Sequence, residues 1–144
     1  PGQHARLWQH PFVDVLKTFA PAERRGAVSE ELDRAIAKQV LCIRGSVSAN
    51  NFVQLPPSSG ALKTLGLTGE YVYLQLRPVD ARFFVAHLDF AVAEQTGALR
   101  VSLSNLYSEV KATHSSVQCP CRLPPQWSVV CVHVPSVLEL REPL

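Results

Sequence analysis

The chain has 144 residues, a formal net charge of +2 and a hydrophobic fraction of 47%. This length fits one domain, which on folding can bury about two-thirds of the extended-chain surface. The apolar content excludes a disordered chain, and no apolar run approaches the ~18 residues of a membrane span. The net charge is too small to indicate a nucleic-acid binder. We therefore expect one folded domain that binds neither nucleic acid nor a membrane.

The first predicted element is a helix. Phe12, Val15, Leu16 and Phe19 follow Pro11 at the spacing of one helical face, so we expect this face to pack inward.

The segment from Pro21 to Gln39 is the most charged part of the chain and has the weakest strand pattern. Ser29 can cap a short turn that carries Leu32 and Ile36, which predicts a polar loop with a helical turn. A longer helix is the alternative, because Glu, Leu, Arg, Ala and Lys are good helix formers.

From Val40 onward the apolar residues alternate with a period of two, which predicts strands separated by turns at Gly45, Gly66 and Gly69 and at Glu94–Ala98. The predicted inward positions are Val72, Leu74 and Leu76 in one strand, Phe84, Ala86, Leu88 and Phe90 in the next, and Leu99, Val101 and Leu103 in a third. Arg100, Ser102 and Ser104 are the predicted outward positions of the third strand. Short strands with turns between them indicate an all-β sandwich or barrel.

The last predicted strand, WSVVCVHV, has apolar residues on both faces. Val130, Val132 and Val134 alternate with Val129, Cys131 and His133. This pattern predicts a central strand that is buried on both sides.

The four cysteines do not have the spacing of a structural metal site. Cys119 and Cys121 are separated by one residue, whereas zinc ligands usually lie two to four residues apart. Cys42 and Cys131 lie in apolar runs and are predicted to be small core residues. We expect four reduced thiols in a reducing, intracellular setting, with no metal and no cofactor.

One catalytic arrangement is conceivable. His87 and Asp89 share a strand face and could act as a base and its orienting acid if Ser102 or Cys131 came near. The chain contains no nucleophile elbow, phosphate loop, HExxH pair or dinucleotide fingerprint. A hydrogen-bonded histidine beside an exposed aspartate is the simpler interpretation, so we predict no catalysis.

Four segments together resemble a known family: Trp8–Phe19, the stretch from Leu41 to Tyr73, Phe83–Asp89 and Arg100–Lys111. They are similar to the domain of the cilia- and flagella-associated inner-junction family, in the version found at the N-terminus of a centriolar WD-repeat protein. The resemblance implies an antiparallel β-sandwich of jelly-roll type with one short N-terminal helix and a polar loop. It also implies that residues 1–144 are a single domain from the N-terminal part of a longer protein.

The resemblance further implies a module that binds microtubules and other centriolar or axonemal proteins, located in the centriole, basal body or axoneme. Microtubule surfaces are acidic, so exposed cations are the candidate contacts. Those candidates are Arg24, Arg25, Lys111 and Arg122, with Arg122 expected on the strand face opposite Cys119 and Cys121.

Two further expectations stay open. A β-sandwich that exposes Trp8, Tyr71, Tyr73, Tyr107 or Trp127 could bind carbohydrate, although these rings are mostly better explained as core or rim residues. Family domains continue with further strands beyond the equivalent of Leu144, so a strand edge left unpaired predicts self-association.

Overall fold

The computed structural model describes residues 12–93 and 95–143 of the chain. The chain forms two compact units that divide after Leu67. Among the described residues, those in strands greatly outnumber those in helices, which confirms the predicted all-β class. Among the described residues, no helix is long and apolar enough to cross a membrane. The single-domain assignment and the jelly-roll strand order stay predictions.

The N-terminal unit is built from short elements joined by tight turns. β1 pairs antiparallel with β4, and β2 pairs antiparallel with β3 to form a hairpin. The elements are α1 (Val15–Thr18), β1 (Glu23–Arg25), β2 (Val28–Asp33), β3 (Lys38–Ile43), a 3₁₀ turn (Ser48–Asn50) and β4 (Phe52–Gln54).

The predicted N-terminal helix exists as a single turn, α1. The Asp14 side chain caps it by accepting a hydrogen bond from the Lys17 backbone N–H at 3.3 Å. Phe12 and Leu16 are 69% and 54% exposed, so the prediction that this face packs inward is wrong for both. A four-residue helix is too short to present an extended apolar stripe. Pro11 lies outside the described residues.

The prediction of a polar loop with a helical turn between Pro21 and Gln39 is wrong, and so is the alternative of a longer helix. The segment forms β1, β2 and the start of β3. The Asp33 carboxylate accepts hydrogen bonds from the backbone N–H groups of Ala35 and Ile36, which fixes the turn between β2 and β3. Ala37 completes the turn with a φ of 53°. Pairing with β3 therefore overrides the local helix propensity.

The C-terminal unit contains two sheets that share an apolar core. β5 pairs antiparallel with β10, and four further strands follow the order β6-β7-β9-β8. β7 and β9 pair in parallel, whereas the other strand pairs of the described residues are antiparallel, as the predicted antiparallel sandwich requires. The elements are β5 (Tyr71–Leu76), β6 (Val85–Ala91), β7 (Ala98–Ser104), β8 (Lys111–Ala112), β9 (Ser116–Pro120), β10 (Ser128–His133) and α2 (Val134–Leu138).

The core of this unit consists of Val101, Leu103, Val117 and Val132, all at most 5% exposed. Several predicted inward residues pack against it, which confirms the predicted inward faces of β5, β6 and β10, while Val101 and Leu103 confirm that of β7. The residues that pack against it are Val72, Leu74, Ala86, Leu88, Phe90 and Val130.

The prediction that the last strand is central and buried on both faces is wrong. Among the described residues β10 pairs only with β5, and Val129 is 63% exposed. Cys131 is also exposed, so it is not the predicted core residue, whereas Cys42 is buried as predicted. Val134 begins α2 rather than ending the strand, because Pro135 fits the first helical turn.

The outward side of β7 is also less exposed than predicted. Ser102 and Ser104 are 5% and 0% exposed, whereas Arg100 is exposed as predicted. The Ser104 hydroxyl donates to the Phe84 carbonyl at 2.5 Å and accepts from the Leu106 N–H at 3.0 Å. A small hydroxyl side chain can be buried here because the backbone supplies its hydrogen-bond partners.

Candidate functional site

The four predicted cation sites are divided between the two units. Arg24 and Arg25 are neighbours on β1, so they lie on a strand rather than in the predicted loop. Lys111 opens β8 in the C-terminal unit. Arg122 is exposed but lies beyond the end of β9, so its predicted position on a strand face is wrong.

Three of these four cations have a carboxylate partner. Arg24 lies 3.3 Å from Glu30. Arg25 lies 3.5 Å from Glu23. Lys111 lies 4.0 Å from Glu109, with both side chains about 70% exposed. Exposed pairs of this kind contribute little stability, but they reduce the net charge offered to a partner.

Arg25 and Glu23 belong to a larger set of contacts on the β1–β4 sheet. The Arg25 guanidinium lies 5.9 Å from the centre of the Phe52 ring. The Ser58 hydroxyl and backbone N–H both donate to the Glu23 carboxylate, the N–H at 3.0 Å. These hydrogen bonds, with a smaller effect from Arg25, lower the pKa of Glu23 below its ordinary value. Glu23 is therefore a fixed anion beside Arg25.

Two cations that sequence analysis did not single out lie at the turn of the β2–β3 hairpin. Arg34 and Lys38 are exposed, and neither forms an ion pair with a carboxylate that the structure describes. Both fall in the segment that was interpreted as loop or helix, so their shared position was not apparent. The residues Leu-Asp-Arg-Ala-Ile-Ala-Lys would have indicated a hairpin only if the Asp33 turn had been recognised.

The base of this hairpin is held by the Asn51 side chain. Its Oδ1 accepts a hydrogen bond from the Ala27 N–H at 2.8 Å, and its Nδ2 donates to the Val47 carbonyl at 2.8 Å. The backbone of Gly45 passes so close that an added Cβ would lie 1.7 Å from the Asn51 Cγ. Gly26 approaches the same side chain with a φ of 74°. The chain entering β2 and the chain leaving β3 therefore meet at one amide.

Charge is also divided unequally along the sequence. Residues 1–67 contain eight Lys and Arg against five Asp and Glu, whereas residues 68–144 contain six against seven. The positive excess of the chain therefore belongs to its N-terminal part.

The conceivable catalytic group is arranged differently from a triad. His87 Nδ1 lies 2.7 Å from the Ser102 hydroxyl, but Asp89 binds Arg100 through two hydrogen bonds of 2.8 and 2.9 Å. The hydrogen bonds from Arg100 lower the pKa of Asp89, and burial lowers the pKa of His87. Ser102 is only 5% exposed, so a substrate has little access to its hydroxyl. This geometry satisfies a buried serine and does not assemble a nucleophile with an oriented base.

The cysteines do not come together as a metal site. No group of three or more His, Cys, Asp or Glu side chains among residues 12–93 and 95–143 has the arrangement of a metal site. Cys119 and Cys121 pack against the core of the C-terminal unit, and burial raises the pKa of both thiols. Cys131 is the exposed thiol among the four.

The outer face of the β5–β10 sheet carries aromatic side chains. Tyr71 and Tyr73 are each 50% exposed, with ring centres 6.3 Å apart. The His133 ring lies 4.8 Å from that of Tyr71. These two tyrosines are therefore not core residues. Trp127 is half-buried, and the Arg77 guanidinium lies 5.6 Å from its ring centre. Trp8 lies outside the described residues.

In the part of the chain that the structure describes, strands dominate, and His87, Asp89 and Ser102 do not form a catalytic triad. The sequence profile of the CFA20 domain matches residues 4–140. The chain therefore belongs to the CFA20-domain family, and the resemblance noted from the sequence is confirmed.

Its relatives include long proteins from distant organisms. The chain is 43% identical over 121 residues to WD repeat-containing protein 90 of Homo sapiens, a match that covers 81% of this chain and 7% of that protein. It is 37% identical over 145 residues to centriole proteome protein 16 of Chlamydomonas reinhardtii, which covers 95% of this chain and 6% of that protein. The chain thus spans only a small part of the length of these relatives.

Proposed function

We propose that the chain is a non-enzymatic module that binds tubulin in the wall of the centriole or axoneme and supports its assembly or stability. The observation that carries this proposal is family membership across residues 4–140, with a relative named as a protein of the centriole proteome. The same relationship supports a location at the centriole or basal body, and contacts with other centriolar or axonemal proteins.

The charge distribution gives the proposal a physical basis. Exposed cations attract an acidic polymer and accelerate encounter even when the net charge is small. Arg24 and Arg25 belong to the positively charged N-terminal part, which makes them the first candidates. Lys111 and Arg122 are exposed cations of the C-terminal unit and are secondary candidates.

The absence of catalysis is part of the proposal. The contact between His87 and Ser102 has a structural explanation, since it gives a buried hydroxyl its hydrogen-bond partner. Asp89 is held by Arg100 and does not orient His87.

Co-sedimentation with stabilised microtubules tests the proposal. We expect the wild-type chain to pellet with the polymer at about 0.1 M salt and to be released as salt approaches about 1 M, where the screening length falls from about 10 Å to about 3 Å. If the wild-type chain stays in the supernatant even at low salt, direct binding is wrong.

Whether Arg24 and Arg25 contact tubulin is tested with two double variants that have the same net charge. Replacing Arg24 and Arg25 by Glu is compared with replacing Lys17 and Lys63, two exposed lysines of the same unit, by Glu. We expect the arginine pair to weaken binding more. Equal binding by both double variants would refute the arginine assignment and leave tubulin binding intact. Reversal of Arg24 and Arg25 breaks their pairs with Glu30 and Glu23, so circular dichroism must first show that each double variant is folded.

Carbohydrate binding is the second candidate function, because Tyr71 and Tyr73 offer half-exposed rings side by side on one sheet face. Aromatic faces of this kind can stack against the apolar face of a sugar ring. A glycan array tests this: signal that disappears in Tyr71→Ala would support it, and a blank array would reject it.

A further inference from the structure

The β2–β3 hairpin, residues Val28–Ile43, has seven exposed and four half-buried residues in its two strands. Of the twelve residues in its two strands, only Cys42 is buried. Leu32 is 61% exposed near the turn and Ile43 is 43% exposed at the base. A two-stranded hairpin has little stability from its own contacts, so an exposed one is available for a partner to cover.

The charges of this hairpin are neutralised near the base and not at the turn. Glu30 pairs with Arg24 at 3.3 Å, and Glu31 pairs with Arg44 at 3.4 Å. At the turn, Arg34 and Lys38 have no ion-pair partner among the described carboxylates. The turn therefore carries more positive charge than the strands that lead to it.

The one carboxylate at the turn is already engaged. Asp33 Oδ1 accepts the N–H groups of Ala35 at 2.9 Å and Ile36 at 3.4 Å. These bonds direct the carboxylate toward the backbone of the turn. Lys38 lies opposite Asp33 across the strand pair, whereas Leu32 lies opposite Gln39, so Lys38 and Leu32 are on different faces of the hairpin and are near each other only at its turn end.

The base of the hairpin is fixed, which favours docking. The Asn51 amide binds the backbone of Ala27 just before β2 and that of Val47 after β3. The Arg44 N–H donates to the Ala27 carbonyl at 2.9 Å, which ties the two strand ends together. A hairpin held at its base loses less conformational freedom on binding than a free one.

We infer that the turn of this hairpin, through Arg34, Lys38 and Leu32, is the element that docks on the acidic surface of tubulin. The inference rests on the proposed function and makes it more specific. Charge complementarity selects the partner, because an acidic protein surface matches the two exposed cations while Leu32 supplies apolar contact. Arg24 is then a supporting residue that pairs with Glu30, so the turn keeps one net positive charge from Arg34 and Lys38 against Asp33.

The first test compares three double reversals with the same net charge: Arg34→Glu with Lys38→Glu, Arg24→Glu with Arg25→Glu, and Lys17→Glu with Lys63→Glu. We expect the reversal at the turn to weaken binding by about tenfold or more, and the lysine control by less than about threefold. Circular dichroism establishes that each variant is folded. If the double reversal at the turn prevents folding, Arg34→Gln with Lys38→Gln is used instead, and we expect this variant to bind about threefold more weakly than wild type.

A second measurement does not depend on variants. Acetylation of exposed lysines is compared between the free chain and the polymer-bound chain, and we expect Lys38 to be protected while Lys63 is not. Equal labelling of Lys38 in both states would overturn the inference. Equal binding by the turn variant and the lysine control would also overturn it.

These outcomes separate the two proposals. A wild-type chain that does not pellet with microtubules refutes both the proposed function and the hairpin contact. A wild-type chain that pellets, together with unprotected Lys38, refutes only the hairpin contact. Leu32→Ser adds a test of the apolar part, with about a threefold loss expected that stays the same as salt is raised over the range in which the wild-type chain still pellets, because apolar contact is not screened.

Discussion

The C-terminal unit is organised around a cluster of buried apolar side chains. In the described part of the N-terminal unit, by contrast, Cys42 is the single buried apolar residue. The C-terminal cluster draws side chains from both sheets of its unit. The N-terminal unit instead uses hydrogen bonds from Asn51 and Asp33 to backbone groups at its turns. One unit is thus stabilised mainly by burial of apolar surface and the other mainly by polar contacts at turns.

This difference bears on function. A unit with an apolar core tolerates most changes of its surface charge, because burial of apolar side chains supplies most of its stability. A unit held by turn contacts leaves most of its strand surface exposed, as β2 and β3 do. The unit with less buried surface is therefore also the one that offers more surface to a partner.

The largest effect is expected from Leu103→Ala in the C-terminal core. Leu103 is 5% exposed, and truncation of a buried leucine costs about 2–5 kcal/mol of unfolding free energy through lost burial and a cavity. Urea unfolding of both proteins measures this loss of unfolding free energy. Leu106→Ala, at a position 58% exposed on the same unit, should change stability by less than about 0.5 kcal/mol. Similar values for both variants would mean that the cluster is not the main source of stability.

A smaller effect is expected from Gly45→Ala in the N-terminal unit. The added Cβ would displace the Asn51 amide and remove two hydrogen bonds, at a cost of about 1–3 kcal/mol. Hydrogen exchange should accelerate between Gly26 and Gln54. Gly60→Ala is the matched control, because its added Cβ would lie 3.4 Å from the Pro57 carbonyl oxygen. Unchanged exchange in Gly45→Ala would show that the Asn51 contact is not essential.

The smallest effect concerns the ion pair between Asp89 and Arg100. The side chains are 46% and 52% exposed, so the pair contributes about 0.2–1 kcal/mol. Because the folded-state pKa of Asp89 is lowered, mainly by the hydrogen bonds from Arg100, this contribution is fully present above its ordinary value near 3.8. It is lost as the pH falls through the lower folded-state value.

Thermal unfolding as a function of pH tests the sign of this effect. Asp89→Asn should be less stable than wild type at neutral pH, and the difference should vanish in strong acid. Asp80→Asn removes another exposed carboxylate of the same unit and should follow the wild-type curve. A difference that grows on acidification would contradict the assignment.

Much of the C-terminal unit could be predicted because alternation is a local property of the chain. Val72, Leu74, Ala86 and Leu88 were assigned to the inward face from spacing alone, and they pack against the core. The same reasoning failed for β10, where Val129 and Cys131 are apolar but exposed. Residue type reports which side chains tolerate burial, and it does not report whether another layer covers them.

Sequence analysis predicted that the candidate site consists of exposed cations, but not where those cations lie in the fold. Exposed cations were expected, yet the partners of Arg24 and Arg25 depend on strands that the local pattern did not indicate. Arg34 and Lys38 acquired their common position only because Asp33 turns the chain between them.

The sequence by itself determined the all-β class, the approximate positions of β5, β6, β7 and β10, and the family, because each depends on residue order along a short stretch or on similarity along the whole chain. Only the tertiary structure decided which strands pair, including the parallel contact of β7 with β9. It also decided that Asp89 binds Arg100 rather than His87. Such contacts join residues distant in sequence, and their geometry depends on how the intervening chain folds.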